Sequence, residues 1–594
     1  MRDYLVIVAE DDAGEAERLA VRDRLVASGA WRAPCERRGL SVLVEAIAPP
    51  AYRHLPGLSG ALIGEVFDAE AARKGLGADF RSQSLAGLPP RSAAWRLARS
   101  AYGRYLAVFT EGSMVRVLRD PLGALEAVAW RRGGLGFIAS RLPRDRALWP
   151  VDLAVDWTAI GQILRQKNLA SHLSPLTGVA SVEPGVFGSP WAMGEGERLW
   201  RPAWCVEQQA SRWPSPAALE RVVDGATAAY ALGRDRIVCE ISGGLDSAIV
   251  AASLKRSGAQ VDYAINHSWP QAEADERAYA LAAADDLGVP LEVVDRELLR
   301  LDAGKLARAA GGQRPNYVGG DPDHDAELAA RLAGDPPAAL FTGRGGDAVF
   351  YQMPALELVL DLTGLGRCGA PRLWGLSRLA ARMGATVWSL ARQAQAQAGD
   401  RLPDPPASSL LSRELAAAPV AWHPWLQGLE DLSPAKRVQL RAIVNSLSAF
   451  GESLRHRAGD ILDPLLAQPV IETCLAVPAV RLAVGATDRP FARRAFARRL
   501  PPSILARQGK GDLSVFFARS LSASRSFLRD YLIDGRLAAH GLLDRDALSE
   551  VLDPDYLIWR NATPDLFVAL ALEAWVRCWE ERLAAPVGKT SVGV

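Results

Sequence analysis

Apolar and polar positions fall into two regimes along the chain. Over residues 1 to about 210, short apolar runs of β type (YLVIVAE, LSVLVEAIA, GALIGEVF, GRYLAVFT, MVRVLRD, EAVAW and LGFIAS) are separated by glycine, proline or charge, which predicts a layered antiparallel sheet. A polar, proline-bearing stretch, QQASRWPSP at 208–216, reads as a linker. In it, Ser215 and Pro216 are expected as the cap and first position of a following helix. From 217 to about 350 the pattern predicts helices over 217–232, 247–257, 274–287 and 323–333, alternating with strands over 236–241, 261–266, 291–294 and 338–342. Such alternation implies βαβ crossovers and a parallel sheet covered on both faces. Ligands of such sheets bind beyond the carboxyl ends of the strands. After 353 the chain is mostly Ala/Leu/Arg-rich helical pattern broken by Pro and Gly, without a fixed repeat, and reads as a helical continuation. The expected division is residues 1–210 and 211–594.

Composition narrows the class. With 594 residues, 49% apolar and 23% charged, the chain has the makeup of a soluble globular protein of two or three domains. A net charge of +1 gives no bias toward nucleic acid or an anionic membrane, so neither is expected as a partner. The six cysteines are scattered, with no CxxC pair and no Cys/His run of metal-ligand spacing, and read as reduced, mostly core thiols. The first apolar run is too short for a signal-peptide core, and no stretch approaches the ~20 apolar residues of a membrane span. A cytoplasmic enzyme is the expectation.

The candidate chemistry is concentrated in CEISGGLDSA, residues 239–248. A short apolar strand ends in Ser242-Gly243-Gly244 and turns directly into an apolar helix, so that backbone N–H groups and the positive end of the helix converge on one point, a cradle for an anion. Asp246 would repel a bare phosphate; its presence fits a divalent cation held between carboxylate and polyphosphate. The loop lacks the lysine of the GxxxxGK[ST] pattern. It therefore suits a reaction in which the β and γ phosphates are gripped and the α phosphate is attacked, with pyrophosphate leaving. A glycine turn used only for chain reversal is the plainer alternative.

A second loop, Thr342-Gly343-Arg344-Gly345-Gly346-Asp347, again follows a short apolar strand. In a parallel sheet both loops open at one edge, and Asp246 with Asp347 would then form a magnesium site facing one polyphosphate. Between them, Asp275 and Glu276 open a helix, where they suit the helix dipole as well as a place near the nucleotide. The last signal is RQGKGD, 507–512. Only seven of the 69 basic residues are lysine, and Lys510 between glycines is a compact charge able to approach developing negative charge closely. Composition alone leaves an ordinary surface lysine equally open.

Together these residues resemble the asparagine synthetase B family. GRYLAVF and Arg119-Asp120-Pro121-Leu122-Gly123 are similar to segments of that family's first domain. The resemblance implies an α/β multidomain fold. An N-terminal glutaminase-like (Ntn-type) antiparallel sandwich would precede a C-terminal ATP-pyrophosphatase doubly wound parallel sheet with a helical extension. It also implies ATP and Mg2+ as cofactors. Ser242, Gly243, Gly244, Asp246 and Ser247, with Gly343, Gly345 and Gly346, would bind ATP and pyrophosphate; Asp246 and Asp347 would hold the metal; and Lys510 would be catalytic. Glutamine-hydrolysing members carry a cysteine directly after the initiator methionine, where this chain has Arg2, and the second loop has Arg344 and Ala348 in place of glutamates. The expectation is an adenylating ligase that takes its amine from the substrate itself. ILDPLLAQPVIETCLAVP followed by RPFARRAFARRLPPSILARQGKGD looks most like the lasso peptide macrolactam synthetases. That branch implies a precursor core peptide as substrate and a leader peptidase as partner. The alternatives are a β-lactam synthetase-like or ammonia-dependent asparagine synthetase-like ligase, or a non-catalytic scaffold.

Overall fold

The computed structural model describes the chain except residues 1–2, 48–49, 56–59, 112–113, 193, 208–212, 270–274, 317–320, 364–371, 397–403, 449, 508, 510, 512, 554–555, 558–561 and 586–594. All seven β-type runs of the first regime are strands, and they belong to two six-stranded antiparallel sheets. One sheet runs in the order Ala180–Ser181, Val128–Arg132, Leu135–Ala139, Tyr4–Ala9, Leu40–Glu45, Trp31–Arg37. The other runs Glu197–Arg198, Val186–Gly188, Met114–Arg119, Ala101–Glu111, Gly60–Asp68, Tyr52–His54.

Alternation along Tyr4–Ala9 explains how the sheets stack. Tyr4, Val6 and Val8 point into a core shared with Ala61, Ile63, Leu106 and Val108 of the second sheet. Leu5, Ile7 and Ala9 point the other way, toward Leu528, Tyr531, Trp575 and Trp579 near the C-terminus. A strand buried on both faces reads as an unbroken apolar run, as YLVIVA does. On the outer face of the second sheet, Leu62, Tyr102 and Tyr105 pack with Leu219, Val222, Val223 and Ala226 of the helix Pro216–Ala231. Both interiors therefore cross residue 210. That helix starts as expected: Ser215 Oγ accepts from Ala218 N at 3.2 Å and Pro216 stands at the first position.

The RDPLG segment organises a turn. Arg119 and Asp120 are buried; the guanidinium donates to the carbonyls of Gly123, Leu125 and Val182, and the carboxylate accepts from the amides of Leu122, Ala124 and Leu125. These bonds replace the water both charges have lost.

The second regime folds as a parallel sheet in the order Leu291–Asp295, Tyr263–Ser268, Ile237–Glu240, Ala339–Phe341, Asp460–Leu462. Four of these strands match the expected ones; the three-residue Asp460–Leu462 edge strand was not foreseen. The chain order reverses between Ile237–Glu240 and Ala339–Phe341, so their carboxyl ends flank the topological switch point at which open α/β sheets bind ligands. Five cysteines are free thiols, three of them buried; Cys368 lies outside the described residues. Among the described residues, no helix is long and apolar enough to cross a membrane.

Candidate active site

The two glycine loops leave the two central strands and touch. Gly243 has φ +79°, a left-handed turn that drops the chain into the helix Leu245–Ser257, and a Cβ there would meet Glu276 O at 2.8 Å. Ser247 Oγ accepts from Ser242 N at 3.2 Å and lies 3.2 Å from Ser242 Oγ, so the two serines brace the turn. In the second loop, a Cβ on Gly343 would stand 2.4 Å from Ser247 N, and one on Gly346 only 2.3 Å from Asp246 Cγ. Those two glycines therefore let the loops approach each other. Gly345 has φ +85° and faces Leu466. Gly346→Ala should push Asp246 aside and lower ATP–pyrophosphate exchange by about 10²-fold, the cost of a misplacement near 1 Å; exchange within threefold of the parent protein would refute it.

Asp246 and Asp347 come together through a residue that the sequence did not single out. Arg489 Nη1 donates to Asp246 Oδ2 at 2.7 Å and to Asp347 Oδ1 at 2.8 Å, while its Nε donates to Asp488 Oδ2 at 2.7 Å. Its side chain is 6% exposed. Burial works against the guanidinium charge, but Asp246, Asp488 and Asp347 outweigh it and hold its pKa above the usual value. Asp488 sits below the usual carboxylate range: burial opposes this, and Arg489 and Arg493 overcome it. Arg489 adopts φ +46° and ψ +46°, a left-handed conformation costly for a side chain this size, and Pro490 then starts the next helix.

The fit of a divalent cation can be judged from this contact. One nitrogen reaches an oxygen of each carboxylate, so a single cationic centre satisfies both. Mg2+ takes one or two carboxylates and completes its shell with water and phosphate oxygens. Asp246 and Asp347 fit that donor set.

The segment carrying RQGKGD is anchored on the first loop. Arg507 Nη1 donates to Gly243 O at 2.8 Å, Arg507 also pairs with Glu276, and Gly511 N donates to Glu276 Oε1 at 2.9 Å. Arg493 reinforces this by donating to the carbonyls of Ile504, Leu505 and Arg507. Lys510 itself lies outside the described residues; before it Arg507 bonds Gly243, and after it Gly511 bonds Glu276. Glu276 thus serves this anchor, whereas Asp275 pairs with Arg277 at 2.8 Å at the helix start.

The loops open into a cavity of about 1660 Å³, also lined by Arg344, Arg378, Arg382, Arg441, Arg489 and Arg507. Small-molecule pockets span roughly 300–1,000 Å³. The space beside the loops exceeds that range, and its wall carries the carboxylates Glu240, Asp246, Asp347 and Asp488 as well as these arginines.

A model of the family described as Asparagine synthase matches residues 218–577, more than half of the chain. The chain belongs to the asparagine synthase family. The match begins in the helix capped by Ser215 and covers both glycine loops and the RQGKGD segment. For an asparagine synthase-family protein, this supports an ATP-dependent amide-forming ligase, and such ligases generally use Mg2+ with ATP. No curated protein matches the chain. Among solved structures, it is similar to glutamine phosphoribosylpyrophosphate amidotransferase from B. subtilis complexed with ADP and GMP, at 12% identity over 67% of this chain and 88% of that one. The TM-score is 0.17, at which the likeness carries no argument about fold or function.

Proposed function

We propose that this asparagine synthase-family protein closes a macrolactam in a lasso peptide precursor. A ring-position Asp or Glu carboxylate attacks the α phosphorus of ATP and pyrophosphate leaves. The peptide's N-terminal amine then attacks the activated carbonyl and displaces AMP, giving the amide bond. The Ser242–Ser247 turn with Gly343, Gly345 and Gly346 grips the terminal phosphates. Asp246 and Asp347 hold Mg2+, which supplies charge neutralisation at the leaving pyrophosphate. Lys510 stabilises the negative charge that builds at the reacting centre. Enclosing amine and acyl-adenylate in one cavity raises their effective concentration and keeps water away.

The cavity volume carries this reading, because an amino acid beside ATP would leave much of it empty whereas a folded peptide would not. Two thiols of the first 210 residues support it too: Cys35 is buried in the inter-sheet core, and burial pushes the thiol of Cys205, on the helix Ala203–Glu207, well above its usual pKa. Neither thiol is suited to release ammonia from glutamine, which is consistent with an amine supplied by the substrate. Ala348 and Arg344 occupy the second loop, where acidic residues would serve an ammonia-dependent reaction on aspartate.

The test is incubation with ATP, Mg2+ and linear peptides carrying a free amine and one Asp or Glu at varied distance. Release of AMP with loss of one water from the peptide is expected. Asparagine formed from aspartate and ammonia would overturn the peptide reading, and a protein that never releases pyrophosphate would be a scaffold. Within the productive assay, Lys510→Ala should reduce turnover by about 10²–10³-fold. Lys510→Arg should not restore it, because a planar fork does not replace a point charge.

A further inference from the structure

A second cluster of donor atoms lies beside the nucleotide loops and takes no part in the proposed reaction. Glu240 ends the central strand two residues before Ser242, His267 sits on the neighbouring strand Tyr263–Ser268, and His324 stands in the first turn of the helix Pro322–Leu332. Glu240 Oε1 is 3.8 Å from His267 Nδ1 and 3.9 Å from His324 Nε2, and one ligand atom from each residue lies within 4.8 Å of the others. The imidazole rings meet edge to face with centroids 4.3 Å apart.

The hydrogen bonding around the cluster fixes what these atoms offer. His267 Nε2 lies 3.0 Å from Glu327 Oε2. A carboxylate only accepts, so Nε2 donates to it, and Nδ1 is the ring nitrogen turned toward Glu240. His324 Nε2 is a buried atom with no hydrogen-bond partner among the described residues. A carboxylate oxygen and two imidazole nitrogens thus converge, each within 4.8 Å of the others.

The supporting shell is that of a metal site. Glu327 orients the ring of His267, as a carboxylate behind a metal-bound histidine does, and Arg331 in turn holds Glu327. His324 is fixed by the cap of its helix, where its backbone N donates to Asp321 Oδ1 at 2.9 Å. Two arginines pair with the carboxylates that flank His324 in its helix: Arg296 with Asp321 at 2.7 Å and Arg455 with Asp325 at 3.2 Å.

We infer that Glu240, His267 and His324 form a binding site for a zinc-type divalent ion, distinct from the magnesium site at Asp246 and Asp347. Two imidazoles and one carboxylate suit Zn2+, Co2+ or Ni2+, whereas an all-carboxylate set suits Mg2+. Three protein ligands leave a fourth tetrahedral position for water or substrate. Bonds near 2.0–2.1 Å require donor atoms roughly 3.3 Å apart, so the three side chains draw inward by under an ångström or so on binding. Because Glu240 lines the large cavity, an ion there would stand at the edge of the space proposed for substrate.

The test uses the full-length protein stripped with chelator, dialysed against Zn2+ and assayed for bound metal, with Co2+ absorption reporting coordination. One ion per chain and an intense tetrahedral Co2+ spectrum are expected. Glu327→Gln should weaken affinity 10- to 100-fold. His267→Ala and Glu240→Gln should each lose the Co2+ spectrum while retaining the parent's melting curve, and Asp246→Asn should keep it. The inference fails if the parent protein binds no stoichiometric Zn2+, if its Co2+ spectrum is the weak octahedral form, or if Asp246→Asn abolishes binding while Glu240→Gln does not. Should His267→Ala unfold, the parent spectrum and Glu240→Gln decide the matter.

Discussion

Asp246→Asn should lower ATP–pyrophosphate exchange by about 10³-fold, the rate equivalent of several kcal/mol of metal-derived charge stabilisation. The substitution keeps the shape of the side chain, and an amide oxygen can still accept from Arg489. The guanidinium also retains Asp347 at 2.8 Å and Asp488 at 2.7 Å. The melting temperature should therefore fall little while activation of the carboxylate collapses. Radiolabelled pyrophosphate exchange alongside a thermal melt separates the two. Exchange within tenfold of the parent protein would show that Asp246 does not hold the ion.

Arg489→Met should have the opposite signature. It leaves Asp246, Asp347 and Asp488 facing one another without their shared cation, and breaking a buried ion pair from one side costs about 3–5 kcal/mol. Mg2+ alone should return much of that loss, because an ion that binds only the folded form stabilises it by mass action. In the parent protein, magnesium without ATP must displace a resident guanidinium and should stabilise far less. Thermal melts of both proteins across a Mg2+ titration decide it: equal responses would show that arginine and metal do not compete for the same pair of carboxylates.

Local signals were legible and distant ones were not. Tyr4–Ala9, Gly60–Asp68 and Ala101–Glu111 could be found because an apolar run bounded by turns is a property of neighbours in sequence. The same holds for the Gly243 turn, where strand, glycine and helix follow within ten residues. The helix Asp12–Ala27 lies outside the elements the pattern predicts: Asp11 caps it, accepting from Gly14 N at 2.7 Å, but charges throughout EAERLAVRDR leave only a thin apolar face. The strand Asp460–Leu462 is three residues long and announces itself only by pairing with Ala339–Phe341. Arg489 was unreadable for a stronger reason. In a chain rich in arginine, nothing marks the one that will meet carboxylates 243 and 142 residues away. Gly343 and Gly346 were noticed for their bearing on phosphate, whereas their immediate neighbours are Ser247 and Asp246 of the other loop. That reason for glycine belongs to tertiary packing, and no local pattern encodes it.

The apolar interiors that run without a break from the antiparallel layers into the helices on either side have an evolutionary corollary. A ligase module cut free at residue 211 would bare the faces of Leu219, Val222 and Trp575 to water, and so would aggregate before it could act. A lineage that dropped the first two hundred residues would have to replace these apolar contacts, so packing alone ties the two parts together, whatever either does.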